Sequence, residues 1–85
     1  MGWCVYMLRC ADGSLYTGAT NALAKRFALH EAGKGARYTR GRGPLSVVYV
    51  EPCLDRSEAL RREVALKRLD RAAKLRLCAV TRPPR

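Results

Sequence analysis

Tyr6 and Tyr16 stand ten positions apart, in the triplets Cys4-Val5-Tyr6 and Tyr16-Thr17-Gly18. Each triplet lies in a short apolar, β-prone run. Between them sits Ala11-Asp12-Gly13-Ser14, and Asp-Gly is a strong hairpin signal. A hairpin of that size brings two phenols into one small region. A tyrosine hydroxyl can orient water, hold phosphate or accept a proton. Its pKa is near 10, so acting as a base at neutral pH requires cations nearby.

Two helical spacings could supply charge to such a site. Arg26 and His30 lie at i and i+4, on one stripe with Leu23 and Phe27. A charged residue on a stripe that faces a sheet must be paired, line a cleft or snorkel to water. A lone histidine at a helix end, as His30 is, is more often an ordinary capping or packing residue. Farther on, Glu63 and Lys67 form another i, i+4 pair beside Leu60 and Val64, which are expected to pack on the sheet. A surface ion pair of that kind is worth only about 0.3–0.5 kcal/mol. The alternative is a carboxylate placed to hold a hard cation, since Mg2+ keeps several waters and often uses one or two carboxylates.

A third concentration of chemistry is the basic loop from Gly33 to Gly43, with Lys34, Arg37, Tyr38, Arg40 and Arg42 between glycines. It has no regular frame for presenting side chains to base edges, so it is expected to bind backbone phosphates. Tyr38 is a candidate for stacking on an unpaired base.

The whole composition agrees with a polyanionic partner. Seventeen Lys and Arg oppose seven Asp and Glu, a formal charge of +10, and thirteen of the basic residues are arginine. Neutralised phosphates release counterions, and the planar arginine fork suits phosphate. Charge alone also admits membrane surfaces and ribosomal RNA. Eighty-five residues make one domain with one core. No run approaches the roughly 20 apolar residues of a membrane span, and no signal peptide is evident, so the expected location is the cytoplasm. Four cysteines without a Cys-x-x-Cys pair, and a single histidine, argue against zinc. Cys4, Cys10, Cys53 and Cys78 read as small buried hydrophobes.

Elements that position these residues follow from pattern. Trp3 to Cys10 is almost continuously apolar and reads as a strand buried on both faces. Ser14 to Ala19 is its hairpin partner. Asn21 is the expected cap of a helix over 22–32, which Gly33 and Gly35 end. Pro44 closes the basic loop before a third strand, Leu45 to Glu51. Asp55 with Glu58 marks a helix start, and that helix runs over about 56–69. Asp70 is the expected cap of a last helix to about Val80. Residues 1–80 thus form one domain, and 81–85 a basic tail expected to be frayed. The order is β-β-α-β-α-α, an α+β fold with three strands flanked by helices.

Taken in series, these residues resemble the GIY-YIG nuclease family, in its compact single-domain bacterial form, over about residues 3 to 78. Cys4-Val5-Tyr6 stands for Gly-Ile-Tyr, and Tyr16-Thr17-Gly18 for Tyr-Ile-Gly, extended by Ala19-Thr20-Asn21. Arg26 and His30 match the family's Arg-x-x-x-His helix. Gly33-Lys34-Gly35 and Thr39-Arg40 match its glycine-basic loop. Ala59, Glu63 and Lys67 match its Ala-x-x-x-Glu-x-x-x-Lys helix, and Lys74 its late lysine. The resemblance implies a three-stranded antiparallel sheet and hydrolysis of DNA phosphodiester bonds with one Mg2+ or Mn2+, in DNA repair or processing. The cut is expected to be structure-selective or non-specific, with RNA as an alternative substrate. It implies that Tyr6 orients or deprotonates water, Tyr16 arranges the nucleophile or phosphate, and Arg26 stabilises phosphate charge. Glu63 would anchor the metal, His30 would assist proton transfer or contact substrate, Lys67 would join the loop residues in binding nucleic acid, and Gly18 would permit close backbone approach. Cys4 replaces the first glycine, and the late asparagine of larger relatives is missing. A catalytically weak nucleic-acid-binding module, or a subunit that needs a protein partner for targeting, is the alternative.

Overall fold

The computed structural model describes residues 2–80, so the tail expected at 81–85 lies outside the described residues. Its elements are β1 (Trp3–Arg9), β2 (Leu15–Thr20), α1 (Leu23–Glu31), a 3-10 turn (Arg37–Thr39), β3 (Ser46–Cys53), α2 (Arg56–Lys67) and α3 (Arg71–Val80). The sheet order is β2-β1-β3, and both pairings are antiparallel. This is the expected β-β-α-β-α-α order in an α+β fold.

The central place of β1 explains its continuous apolar run, because both of its faces are covered. Val5 and Met7 pack with Tyr49, Ala59 and Leu66 in one layer, which Leu77 and Cys78 of α3 join. Tyr6, Leu8 and Cys10 face the other layer, with Leu45 and with Leu23 and Phe27 of α1. Strand β3 is an edge, which accommodates Pro52 within it. A register shift opposite Met7 and Leu8 leaves Val48 outside the pairing.

Caps follow the sequence at two helices and depart from it at one. Asp55 accepts from the Glu58 backbone at 2.8 Å, and the Glu58 carboxylate accepts from the Leu54 N–H at 2.8 Å. Asp70 caps α3 by accepting from Ala73 N at 2.8 Å. Asn21 does not cap α1. The backbone N–H of Ala22 is instead satisfied by Thr20 Oγ1 at 3.0 Å, and the side chain of the N-cap residue, Ala22, makes no capping bond. Thr20 is buried at the end of β2 and reaches the turn first; Asn21 is exposed.

The packing face of α2 also differs from expectation. Leu60 and Val64 are 40% and 51% exposed, whereas Ala59 and Leu66 are buried. In this rotation Arg62 reaches β3, where its guanidinium grips Glu51 with bonds of 2.6 and 3.0 Å. Tyr49 donates to the same carboxylate at 2.5 Å. Small Ala59 lets the helix approach the sheet closely. Glu63 therefore comes to the sheet side with Ala59 and Leu66, one step around from the expected seam.

The basic loop is held at three places. Glu31 accepts from Leu45 N at 2.9 Å, Ala11 N donates to the Arg42 carbonyl at 2.7 Å, and Thr39 is buried at 1% exposure.

Candidate active site

The site begins with a missing side chain. Tyr6 of β1 pairs with Gly18 of β2, and its phenol lies across the glycine. A Cβ on residue 18 would fall 2.6 Å from Tyr6 Oη and 2.8 Å from Cζ. Only glycine leaves that space, which gives the second triplet's glycine a packing reason.

Tyr6 is 1% exposed, and its hydroxyl lies 3.0 Å from Nε2 of His30, which is equally buried. His30 sits in the last turn of α1, one turn beyond Arg26. On the far side of the imidazole, Nδ1 is 2.9 Å from Thr39 Oγ1, and Thr39 Oγ1 donates to the Ala36 carbonyl at 3.0 Å. Gly35 clears room for the ring, because a Cβ there would lie 2.8 Å from His30 Cγ.

Tyr16 completes an aromatic cluster. Its ring centroid is 6.3 Å from Tyr6, 5.1 Å from His30 and 6.0 Å from Tyr38. The hairpin therefore does bring the two phenols together.

Arg26 and Glu63 both act electrostatically on the same group. Burial pushes the Tyr6 phenol up to about 12, with Tyr16 adding to the rise. The Arg26 guanidinium pulls the phenol down, and the Glu63 charge raises it. His30 is held below its ordinary value, first by burial and then by Arg26. Arg26 thus lines a cleft rather than snorkelling away, and it borders a cavity of about 250 Å³ with Thr20, Asn21, Ala22, Lys25 and Leu29.

Glu63 has 19% of its side chain exposed and pairs through Oε2 with Lys67 at 2.8 Å. Among the described residues, no three of His, Cys, Asp or Glu converge. A nitrogen- and sulfur-rich zinc cage does not fit that donor set. A hard cation held by one carboxylate and waters does fit it.

The loop residues divide into two groups. Lys34, Arg37 and Arg40 are exposed and enter no ion pair among the described residues. Arg42 is instead tied to Asp12 at 2.6 Å and lies 4.6 Å over the Tyr38 ring. Tyr38 is 43% exposed, yet Arg42 and Tyr16 already flank it. Arg42 and Tyr38, expected from the sequence to meet phosphate and an unpaired base, thus also have partners within the chain. The competing partner in each case, Asp12 or Tyr16, comes from the β1–β2 hairpin.

Sequence reasoning missed a second basic cavity, of about 170 Å³, lined by Ser14, Leu15, Tyr38, Arg71 and Lys74. Arg71 is positioned there by donating to the Gly13 carbonyl at 2.9 Å. Its signal was a basic i, i+3 pair in the first turns after Asp70. Thr39 and Gly35 were visible only as parts of a loop motif, because their roles depend on the buried imidazole.

A tyrosine hairpin set against an Arg/His helix and a carboxylate-bearing helix is the arrangement of a GIY-YIG domain. The GIY-YIG catalytic domain model matches residues 2–76, and the chain belongs to that family, one of nucleases. It is similar to UPF0213 protein OB0043 of Oceanobacillus iheyensis, 56% identical over 73 residues, or 86% of this chain and 85% of that protein. UPF0213 protein Reut_B5558 of Cupriavidus pinatubonensis is 49% identical over 82 residues, covering 96% and 91% of the two chains. The solution NMR structure of UPF0213 protein BH0048 from Bacillus halodurans superposes with a TM-score of 0.62 at 43% identity, over 99% of this chain and 89% of that one. Among the described residues, no helix is long and apolar enough to cross a membrane.

Proposed function

We propose that this chain is a metal-assisted endonuclease that hydrolyses nucleic-acid phosphodiester bonds, with DNA as its substrate. The observation that carries this reading is the buried 3.0 Å contact between Tyr6 and His30, with the charges of Arg26 and Glu63 both acting on the phenol.

Protonated at neutral pH, Tyr6 works as a proton carrier rather than a standing tyrosinate. Attacking water gives its proton to Tyr6 Oη as the phenol proton passes to His30 Nε2. The nucleophile forms without leaving a bare tyrosinate in a buried site. Arg26 donates to the scissile phosphate and stabilises the charge that grows there. Glu63 would hold one Mg2+ or Mn2+, which would supply Lewis acidity toward the phosphate. Tyr16 packs against both Tyr6 and His30 and keeps the pair aligned. Lys25 beside Arg26, and Arg71 with Lys74 across Tyr38, extend the cationic lining on either side, and Lys34, Arg37 and Arg40 add phosphate contacts.

One observation favours a second reading. Lys67 occupies an oxygen of Glu63 and competes with a cation for it. A domain whose Glu63 stays bound to Lys67 would bind nucleic acid without cutting it.

The experiment is direct. Purified protein is incubated with labelled flap, junction, nicked duplex and single-stranded DNA, and with RNA, in Mg2+, Mn2+ or EDTA. Metal-dependent cleavage of a DNA substrate supports the endonuclease. Binding without cleavage on every substrate selects the second reading.

A further inference from the structure

His30 is the chain's only histidine, and its surroundings leave one consistent way to place its proton. Tyr6 Oη is buried, so its proton requires an acceptor. His30 Nε2, at 3.0 Å, is such an acceptor. Arg26, the other side chain within hydrogen-bonding reach of the phenol, can only donate, and Glu63 and Tyr16 act on it through charge alone. Tyr6 therefore donates and Nε2 accepts. In a neutral imidazole the remaining proton is then on Nδ1. Thr39 Oγ1 lies 2.9 Å from Nδ1 and receives that proton's hydrogen bond. The Thr39 hydroxyl is free to do so because its own proton goes to the Ala36 carbonyl at 3.0 Å. The reverse tautomer would let Nδ1 accept from Ala36 N, but that contact is 3.4 Å, at the weak limit. It would also leave the buried phenol proton facing an N–H.

We propose that Thr39 is a positioning residue that locks His30 in its Nδ1–H tautomer, so that Nε2 stands ready to take the Tyr6 proton. The anchor extends to Gly35, whose lack of a side chain lets the ring reach Thr39. Groups that bear on the imidazole are Tyr6 from β1, Tyr16 from β2 and Arg26 from α1. Arg26 is the one cation among them, and it opposes a charged ring. The role in catalysis rests on the proposed endonuclease reading; the tautomer does not.

A single histidine makes the test clean. Long-range 15N–1H correlation on uniformly labelled protein, without metal or nucleic acid, reads which ring nitrogen carries the proton. The expected wild-type spectrum above pH 7 has a protonated Nδ1 and a bare Nε2. Thr39→Val should lose that preference, and Thr39→Ser should restore it. Single-turnover cleavage should fall about 10–100-fold in Thr39→Val, as when a group that orients an imidazole is removed, and recover in Thr39→Ser. A wild-type Nε2–H tautomer, or an unchanged Nδ1–H signal in Thr39→Val, overturns the proposal. If Thr39→Val fails to fold, the wild-type and Thr39→Ser spectra decide it alone. The expected tautomer in a protein that cuts nothing sinks the endonuclease reading and leaves the Thr39 anchor standing as structure.

Discussion

Gly18 lies directly across the β1–β2 pair from Tyr6, close enough that its missing Cβ is the space the phenol occupies. Gly18→Ala should therefore displace Tyr6 rather than simply stiffen β2. Overpacking of this kind costs about 1–3 kcal/mol. The measurement is a thermal melt beside the His30 ring spectrum, which should change because Tyr6 leaves Nε2. A variant as stable as wild type with an unaltered His30 signal would show that the sheet adjusts without moving the phenol.

The Tyr6 hydroxyl should make the fold sensitive to alkali. Its pKa is raised from 10 to about 12 in the folded state. The folded chain keeps that proton where the unfolded chain has lost it. This contribution is present in full below about pH 10 and is lost as pH rises through 12, on the order of 2–3 kcal/mol. Tyr49 is also raised to about 12 and adds to the same window. Tyr6→Phe should flatten the loss of stability between pH 10 and 12, measured by denaturant melts. Under the relay mechanism it should also lower single-turnover cleavage about 10²–10⁴-fold while nucleic-acid affinity changes little.

Glu63→Gln should abolish metal-stimulated cleavage and leave the fold intact. The ion pair it removes, with Lys67, is an i, i+4 pair of a class worth only about 0.3–0.5 kcal/mol. Size is kept and charge is lost. Cleavage rate against Mn2+ concentration, with a circular dichroism melt, is the check. Wild-type cleavage by Glu63→Gln would remove this residue from the metal assignment.

Two basic pairs should share the electrostatic work of binding. Arg37 and Arg40 come from the loop, while Arg71 and Lys74 line the cavity beside Tyr38. Each phosphate contact adds about 0.9 to the slope of log K against log salt on duplex DNA. Replacing either pair by alanine should flatten the slope by up to about 2 on every sequence. Arg61 and Arg68, exposed on and just after α2, serve as the control pair. An unchanged slope in both doubles, with a fall in the control, would move the track onto α2.

The element order, the hairpin and the caps at Asp55 and Asp70 were legible in the sequence because each rests on neighbours within a few positions. So was the meeting of Tyr6 with Tyr16, since a short hairpin allows little else. The pairing of Arg26 with His30 on one helical stripe is likewise local. Other features depend on groups distant in the chain. Periodicity placed Leu60 and Val64 on the sheet, but in the fold Arg62 reaches Glu51 and Ala59 and Leu66 are the buried residues of α2. Pattern gave Arg42 no partner within the chain, whereas Asp12, thirty positions away, pairs with it. Thr39 reads as a loop residue in the sequence, and its contact with the imidazole spans nine positions. Sequence by itself determined which residues could do chemistry and which elements carry them, because periodicity and turn propensity act locally. Tertiary structure decided which of those residues meet, how α2 is rotated and where the His30 proton sits, because these depend on buried contacts that must be satisfied in three dimensions.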